Sequence, residues 1–496
     1  MRDRGKRARL LRDDHSLESA GPQDQVTGPG PNGGTARAKP RASLVRGLTL
    51  LGAVALVVGN MVGTSVYTLP ASLARTTGPF GVVAWLFTAV GYLFVALVYA
   101  SLGTRYPRTG GPYVYAREAF GDFAGFQTVW AYWFSCVIGN AAIVTGVVGY
   151  ATGFSTVLAG SVLLQFLLAQ ALLWGLCVLN VTGIRQSARV QITIMFLNIV
   201  PLLLLIGPTL LVFDAANLTP FAPQGVSSLA AGAALVVWAY SGVESATVPA
   251  EEVQAPERTI RWGTMLGYSL GTLVFLLTAV AVAGALPNEI IAGSPRPIGL
   301  AVEHAVGPWG GAVIGVVAII AGLGTLNGWT LMAGRIPLGA AADGIFFPRL
   351  ATIHPRFGTP YVALIVGTLI SSAMLFLFFA KTLLGVFEFI VLLAVLTTLL
   401  PHLYAAAAEL MLARRDPERY APSARRRAHI VAPIAFVFVM YTIYGVGAEV
   451  ALWGFLVVLA GTPLYIWFAT RGRGANDGGG AIRGVEPREP HQHESR

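Results

Sequence analysis

The sequence has little charge, almost no cysteine and none of the short motifs that identify nucleotide- or metal-dependent enzymes. Charged residues make up 12% of its 496 positions and hydrophobic residues 55%, whereas an ordinary soluble domain is about 25% charged. The two cysteines, Cys136 and Cys177, both lie in apolar runs. A disulfide framework or a cysteine metal site therefore has no support, and two small buried side chains are the simpler interpretation.

The sequence contains no P-loop, no aspartyl-phosphate loop and no HExxH or Cys/His cluster, and no GxSxG elbow stands over a predicted sheet. The missing phosphate-binding loop argues against ATP-driven pumping. The missing metal and nucleophile motifs argue against a membrane enzyme. We expect no cofactor and no bound metal ion.

The chain does contain twelve apolar segments, each near the roughly 20 residues that cross a bilayer as a helix. Because polar backbone cannot face lipid, each segment must be helical wherever lipid touches it. The predicted fold class is an all-α membrane protein with twelve transmembrane helices. Segments one to twelve cover about residues 47–72, 80–104, 123–153, 159–181, 188–213, 227–250, 262–286, 308–334, 359–379, 382–410, 430–447 and 449–470. The polar ends, residues 1–45 and 472–496, are predicted to be disordered tails.

Basic residues are distributed unevenly between the loops. If the N-terminus is inside, fifteen Lys or Arg residues lie in the inner loops, against three in the outer loops, namely Arg75, Arg296 and Lys381. Cytoplasmic loops carry such an excess, so both termini are predicted to be cytoplasmic in a bacterial inner membrane. This topology accounts for the formal charge of +10 without a nucleic-acid partner. The expected partners are the lipid bilayer and a small molecule.

Segment one is a poor continuous helix. Small and polar residues crowd its centre from Asn60 to Ser65, and the pattern G-x4-T-x-P-A that begins at Gly63 recurs at Gly242 in segment six. Paired interruptions in oppositely directed segments indicate a transporter built from inverted repeats. A helix that restarts after the break would point its positive N-terminus at the gap, where it favours a carboxylate. A close-packed glycine helix is the alternative.

Segment six contains a dense polar and aromatic island around this second break. Glu244 is a carboxylate near the middle of the membrane with no Lys or Arg in its own segment. Loss of water there favours its protonated form, so it would carry a proton or attract a cationic substrate. Gly242 would let the backbone open toward a ligand, and Trp238 would cap the site. A protonated Glu244 bonded to another helix and a purely packing Trp238 are the alternatives.

Three other segments carry polar side chains at membrane depth. Tyr132, Cys136 and Asn140 in segment three share one helical face, and they either line a cavity or bond a neighbouring helix. Trp329 in segment eight would form an aromatic wall. His402 in segment ten has an ordinary pKa close to neutrality, so it would join a proton path or form a satisfied core histidine.

The loop after segment eight contains Arg335 and Asp343. We expect these two residues to pair with each other as part of the structure.

Five motifs in one order, spread over about residues 47–470, resemble those of the amino acid–polyamine–organocation superfamily of transporters. Within it, the chain is most similar to the bacterial basic amino acid and polyamine antiporters. The motifs are GNMVGTSVYTLPA (59–71), YPRTGGPYVYAREAFG (106–121), YWFSCVIGNAA (132–142), LVVWAYSGVESATV (235–248) and NGWTLMAGR (327–335). The resemblance implies a LeuT-type fold of two inverted five-helix repeats, residues 46–220 and 221–412. Two further helices follow at 413–471. Segments eleven and twelve hold few polar residues, which is consistent with an outer position, a scaffold role or the contact of a homodimer.

The resemblance also implies where the parts common to all amino acids bind. The unwound stretch at Gly63, Thr64 and Ser65 would bind the substrate carboxylate. Backbone carbonyls near Trp238 and Ser241 would accept hydrogen bonds from the amino group, and Trp238 would cover the bound substrate.

The remaining roles implied by the resemblance concern specificity and gating. The positions that line the substrate side chain match Cys136, Asn140 and Trp329. Tyr132 matches an outer gating tyrosine and Tyr99 an inner one. Glu244 matches the family glutamate associated with the inner gate and with pH or substrate coupling.

Two departures from the family are visible. Gly63-Thr64-Ser65 replaces a Gly-Ser-Gly triplet, which narrows the break, and His402 replaces a tyrosine of the arginine/agmatine antiporters. We predict a secondary amino acid transporter that works by alternating access, with amino acid/amine exchange as the favoured mechanism. Proton symport of a neutral amino acid through Glu244 or His402 is the alternative. A non-transporting amino acid receptor is a weaker alternative, because no soluble signalling domain accompanies the spans.

Overall fold

Helices follow the apolar segments along the chain. The computed structural model describes residue 44, residues 46–380 and residues 383–476, without the side chains of 377–390 and 471–476. The predicted tails, 1–45 and 472–496, lie outside the described residues except for residue 44 and residues 472–476, which end the last helix. The helices are α1 (Leu50–Met61), α2 (Thr64–Thr76), α3 (Gly81–Arg105), α4 (Pro112–Phe120), α5 (Asp122–Thr152), α6 (Thr156–Ala159), α7 (Val162–Val181), α8 (Ile184–Leu211), α9 (Leu229–Tyr240), α10 (Pro256–Ala285), α11 (Asn288–Gly293), α12 (Pro297–Val306), α13 (Pro308–Ala342), α14 (Tyr361–Ala380), α15 (Leu383–Arg415), α16 (Pro422–Gly445), α17 (Ala448–Ala460) and α18 (Thr462–Asn476).

Among the described residues, eleven helical stretches are long and apolar enough to cross a membrane, and the joined pair α1–α2 is the first of them. The twelfth is α14, whose apolar part Tyr361–Phe376 is shorter. No β-sheet forms in the same residues, which contain one isolated bridge between Leu48 and Val253. The predicted fold class, an all-α membrane protein with twelve transmembrane helices, is confirmed. Its arrangement as two inverted five-helix repeats followed by two helices stays a prediction, as do the boundaries of the repeats.

Three of the spans begin at a proline. α13 starts at Pro308 directly after Gly307, whose φ of 92° favours glycine. α10 and α16 begin at Pro256 and Pro422. Proline suits the first position of a helix because its missing N–H would have no partner inside the helix.

Two long helices form the centre of the bundle. α5 packs along α13 and α15, and α13 packs along α8 and α1. α10 packs against α1 and α3, and the turn that follows α9 contacts α1. Both interrupted spans are therefore held against uninterrupted helices.

α17 lies at the edge of the bundle against α15 and α5. Its Leu452, Trp453 and Phe455 side chains are 58%, 50% and 60% exposed. A surface of this kind suits lipid or another protein chain, and the homodimer through segments eleven and twelve stays a prediction.

The expected pair between Arg335 and Asp343 is wrong. Arg335, in the C-terminal part of α13, instead donates two hydrogen bonds to Glu252, and both side chains are completely buried. Asp343 accepts from Arg108 and Arg117 in the region between α3 and α5. Sequence distance was misleading here, because the chain after segment six returns to the C-terminal part of α13.

Arg335→Met should lower the free energy of unfolding by about 3–5 kcal/mol, because it leaves the Glu252 carboxylate buried without its partner. Thermal unfolding of the purified protein in detergent measures the loss. Arg349→Met is the control, since Arg349 is exposed, and the double variant Glu252→Met/Arg335→Met should recover much of the stability. Equal melting temperatures for Arg335→Met and Arg349→Met would contradict the structural role of the pair.

Candidate functional site

The break in segment one is shorter than predicted. Our prediction placed it over Asn60–Ser65, but α1 continues through Met61 and α2 begins at Thr64. Only Val62 and Gly63 are non-helical, so Asn60 lies in the last turn of one half-helix and Ser65 in the first turn of the next. The broken geometry is present, but it is confined to two residues.

The protein itself satisfies the carbonyl groups that this break frees. Thr325 of α13 donates its hydroxyl to the carbonyl of Gly59 at 2.7 Å, in place of the helical N–H. Asn198 of α8 donates to the carbonyl of Val62 at 2.6 Å. A Cβ at Gly63 would lie 1.7 Å from the Thr325 hydroxyl, so glycine is required for this approach.

The two carbonyls between them also have partners. The indole N–H of Trp329 points at the carbonyl of Asn60 at 3.5 Å. The carbonyl of Met61 accepts from the Gly63 amide and from the Ser65 hydroxyl, each at 3.0 Å. The acceptor side of the break is therefore saturated by protein groups.

The donor side of the break is different. Gly63 precedes α2 and supplies no side-chain cap, and the first N–H groups of a helix have no partner within the helix. These groups and the helix dipole make the start of α2 a place that favours an anionic group. Thr64 and Ser65 stand there and are buried.

The break in segment six is longer and begins where predicted. α9 ends at Tyr240, and Gly242 follows with φ 110°, a left-handed conformation that favours glycine. The chain then continues in short 3₁₀ turns through Glu252 instead of resuming an α-helix. The Gly242 amide donates to Glu244 at 3.1 Å, which leaves the Trp238 carbonyl without its expected helical donor.

The two breaks meet at Asn60. A Cβ on Gly242 would lie 2.6 Å from the Cβ of Asn60, so the two chains touch here. The Asn60 side chain donates to the Ser245 hydroxyl at 2.7 Å and to the Met332 sulfur at 3.0 Å. The side-chain oxygen of Asn60, Oδ1, is buried and has no hydrogen-bond partner among the described residues. Asn60 thus joins both breaks to α13 and keeps one free acceptor.

The four predicted gating and coupling residues form one buried chain of contacts. Tyr132 of α5 donates a hydrogen bond to Glu244. The second Glu244 oxygen lies 3.9 Å from Nε2 of His402 on α15. Nδ1 of His402 is 2.8 Å from the Tyr99 hydroxyl of α3. Of the two interpretations of His402, the proton-path one gains support, because its Nε2 faces a carboxylate and has no hydrogen bond among the described residues.

The helical face of α5 that carries Tyr132, Cys136 and Asn140 runs past both breaks. Trp238 packs against Gly139, where an added Cβ would lie 3.4 Å from the indole, and Thr64 packs beside Gly146. Asn140 stands between these two contacts, buried, with its side-chain oxygen unpartnered among the described residues. Its oxygen therefore bonds no neighbouring helix among the described residues, and the cavity-lining role of Asn140 stays a prediction.

Other predicted site residues lie as follows. Trp329 contacts Tyr132 edge to face, with ring centroids 6.4 Å apart, and Cys136 is buried one turn from Tyr132 on α5. The hydroxyl of Ser241 donates back to the carbonyl of Val237 in its own helix, so this side chain already has a partner for its proton. Trp238 is half-buried, and every other predicted site residue is buried.

Sequence reasoning missed Thr325, Asn198 and Met332, whereas Ser245 belongs to the polar island predicted in segment six. Thr325 carried a usable signal, because it precedes Trp329 by one helical turn and both serve the same break. Asn198 is a lone amide in an apolar segment, which is costly unless it bonds something. No cluster of three His, Cys, Asp or Glu side chains suitable for a metal occurs in the part of the chain that the structure describes.

Known proteins are similar in sequence to this chain over almost the whole helical bundle. The amino acid permease family model matches residues 48–471. A Bacillus subtilis (strain 168) protein with the provisional name arginine/ornithine antiporter is 30% identical over 421 residues, which cover 78% of this chain and 89% of that protein. The putrescine transporter PotE of Escherichia coli (strain K12) is 29% identical, covering 83% and 93%. The arginine/agmatine antiporter of Chlamydia abortus is 28% identical, covering 86% and 91%.

Thr325→Val should destabilise the protein by about 1–3 kcal/mol, because it leaves the Gly59 carbonyl buried without a donor. Thr209→Val is the matched control, since Thr209 is equally buried but donates to Leu205 of its own helix. Thermal unfolding compares the two variants. An equal loss in both would show that the Thr325 hydroxyl does not hold the break.

Proposed function

Because the chain belongs to the amino acid permease family and is a membrane transporter, we propose that it exchanges an amino acid for an amino acid or amine by alternating access. The observation that carries this proposal is the contact between the two backbone breaks at Asn60 and Gly242. One break offers free donors at the start of α2, and the other offers a free carbonyl at the end of α9.

These two half-sites match the two ends of a zwitterion. A substrate carboxylate would accept from the backbone N–H groups of Thr64 and Ser65. The substrate amino group would donate to the Trp238 carbonyl and to the unpartnered oxygen of Asn60. Both interactions use backbone or short polar groups, so they recognise the part that all amino acids share.

Specificity would arise around the substrate side chain. Asn140 supplies an unpartnered amide oxygen, Trp329 and Trp238 supply aromatic faces, and Glu244 supplies a carboxylate. Such a set suits a cationic or amine-bearing side chain, which carboxylates and aromatic faces attract. The relatives named for arginine, ornithine, agmatine and putrescine agree with this substrate class.

The burial of the site supports a gated mechanism. Trp238 would cover the substrate from one side, while Tyr132 and Tyr99 connect the gate positions through Glu244 and His402. Release toward one side would require this chain of contacts to open, as in the rocking of one helix bundle against another.

The Glu244–His402 pair favours a second mechanism, proton symport of a neutral amino acid. Two titratable groups face each other at 3.9 Å inside the bundle, and such groups at membrane depth typically serve proton relays. In this alternative a proton on the pair would accompany each substrate.

The proposed topology places both termini in the cytoplasm and the protein in the bacterial inner membrane. Fifteen basic residues in the inner loops against three in the outer loops support this orientation. The proposed repeats, residues 46–220 and 221–412, then run in opposite directions through the membrane.

Purified protein in liposomes should take up labelled arginine or ornithine only when the liposomes contain unlabelled amino acid or amine. The empty binding site of an exchanger cannot turn back across the membrane without a substrate. Vesicles without internal substrate should therefore show little uptake. Uptake into empty vesicles that follows an imposed pH gradient would replace exchange with symport.

Trp238→Ala should abolish uptake in either case, and normal uptake by this variant would contradict the placement of the site.

Glu244→Gln should remove the dependence of uptake on pH, because an amide resembles the protonated carboxyl group and releases no proton. Initial rates measured between pH 5 and pH 8 test this. Glu449→Gln, which changes an exposed carboxylate at the start of α17, should leave the profile unchanged. A Glu244→Gln variant with the pH profile of the unaltered protein would rule out the coupling role.

A further inference from the structure

A basic cavity of about 520 Å³ opens on the side of the helical bundle, where α3, α10 and α16 converge. Its walls include three arginines, Arg105, Arg261 and Arg427, and one carboxylate, Glu257. The mechanism above uses none of these residues. The cavity lies at the end of α3 that the proposed topology places in the cytoplasm.

The positive charge of this cavity is only partly balanced, by Glu257 in its wall and by the buried Glu409, which interacts electrostatically with Arg105 and Arg427. Neither Arg261 nor Arg427 forms an ion pair among the described residues. Arg105 donates to Ser101 and stacks over the ring of Tyr420 at 4.2 Å, so it is held in place while its charge remains. A cluster of this kind attracts an anion.

An apolar groove lies along α3 and α16, two of the three helices that form the cavity. A second cavity, of about 610 Å³, lies between α3 and α16 and is lined by Phe94, Val90, Ile434 and Val437 among others. Phe94 lies about one turn along α3 from Leu97, which lines the basic cavity. From Thr104 to Val90 the groove follows α3 for about 21 Å, more than the roughly 15 Å of one leaflet of the hydrocarbon core.

Trp262 indicates the depth of the basic cavity. It follows Arg261 on α10, lines the cavity and is 48% exposed. Exposed tryptophans of membrane proteins gather at the level of the lipid headgroups. The arginines therefore stand where lipid phosphates lie, and the groove extends where acyl chains lie.

We propose that the basic cavity and the apolar groove together bind one anionic phospholipid of the cytoplasmic leaflet. Its phosphate would lie among Arg105, Arg261 and Arg427, and one acyl chain would follow α3 and α16. Basic pockets between membrane helices on the cytoplasmic side bind anionic headgroups in this way. A single helix face with scattered arginines would attract the same lipids loosely, whereas this arrangement retains one lipid.

Native mass spectrometry of the detergent-purified protein tests the proposal with phosphatidylglycerol and phosphatidylcholine of identical acyl chains. We expect one phosphatidylglycerol to be retained in preference to phosphatidylcholine. In Arg261→Gln/Arg427→Gln the affinity for phosphatidylglycerol should fall by about fivefold for each arginine, or about 25-fold together. Arg258→Gln/Arg426→Gln is the matched control, because it removes two exposed charges from the same helices outside the cavity lining.

Two further arms separate folding and headgroup effects from lipid binding. Arg261→Lys/Arg427→Lys keeps the charge, so it should retain most of the preference if the glutamine variant folds poorly for unrelated reasons. Inorganic phosphate and a soluble short-chain phosphatidylglycerol should displace the long-chain lipid weakly, because they do not fill the groove. Equal retention of the two lipids, an equal loss in the matched control, or full displacement by inorganic phosphate would each overturn the proposal.

Discussion

A helix that breaks inside a bilayer must find partners for the backbone groups that it frees, because lipid offers none. In this protein the carbonyl groups at the end of α1 are all served by the chain itself, through Thr325, Trp329, Asn198 and Ser65. The amides at the start of α2 receive no side-chain cap. The break is thus one-sided, since acceptors are satisfied and donors remain. In the proposed function, an anionic ligand group would complete it.

In the second break, too, a few side chains bond the groups that the broken helix frees. One oxygen of Glu244 accepts from Tyr132, and the other accepts from the Gly242 amide and faces His402. One carboxylate therefore shapes the break, connects α5 to α15 and reaches the Tyr99 hydroxyl of α3 through His402. Movement of these helices past one another must rearrange this chain of contacts. In the proposed mechanism, substrate recognition, gating and protonation would therefore share the same few side chains.

The sequence was sufficient for the fold class and for the existence of both breaks, because polar residues inside apolar runs are costly at membrane depth unless they serve a site. It could not define how far each helix unwinds. That depends on Thr325 and Asn198, which lie more than a hundred residues from Val62 and Gly63 and hold the first break to two residues. The partner of Arg335 was wrongly predicted for the same reason, since it comes from a distant segment. The four gating and coupling residues were each identifiable, but their contact was not.

The central claim is that the two touching breaks bind the carboxylate and amino groups of an amino acid. A cryo-electron microscopy structure of the protein with the amino acid that most raises its melting temperature tests it most directly. The account predicts substrate carboxylate oxygens within hydrogen-bond distance of the Thr64 or Ser65 amides, and the amino group beside the Trp238 carbonyl and Asn60. A bound amino acid that contacts neither break, with α2 and α9 unchanged around it, would contradict it.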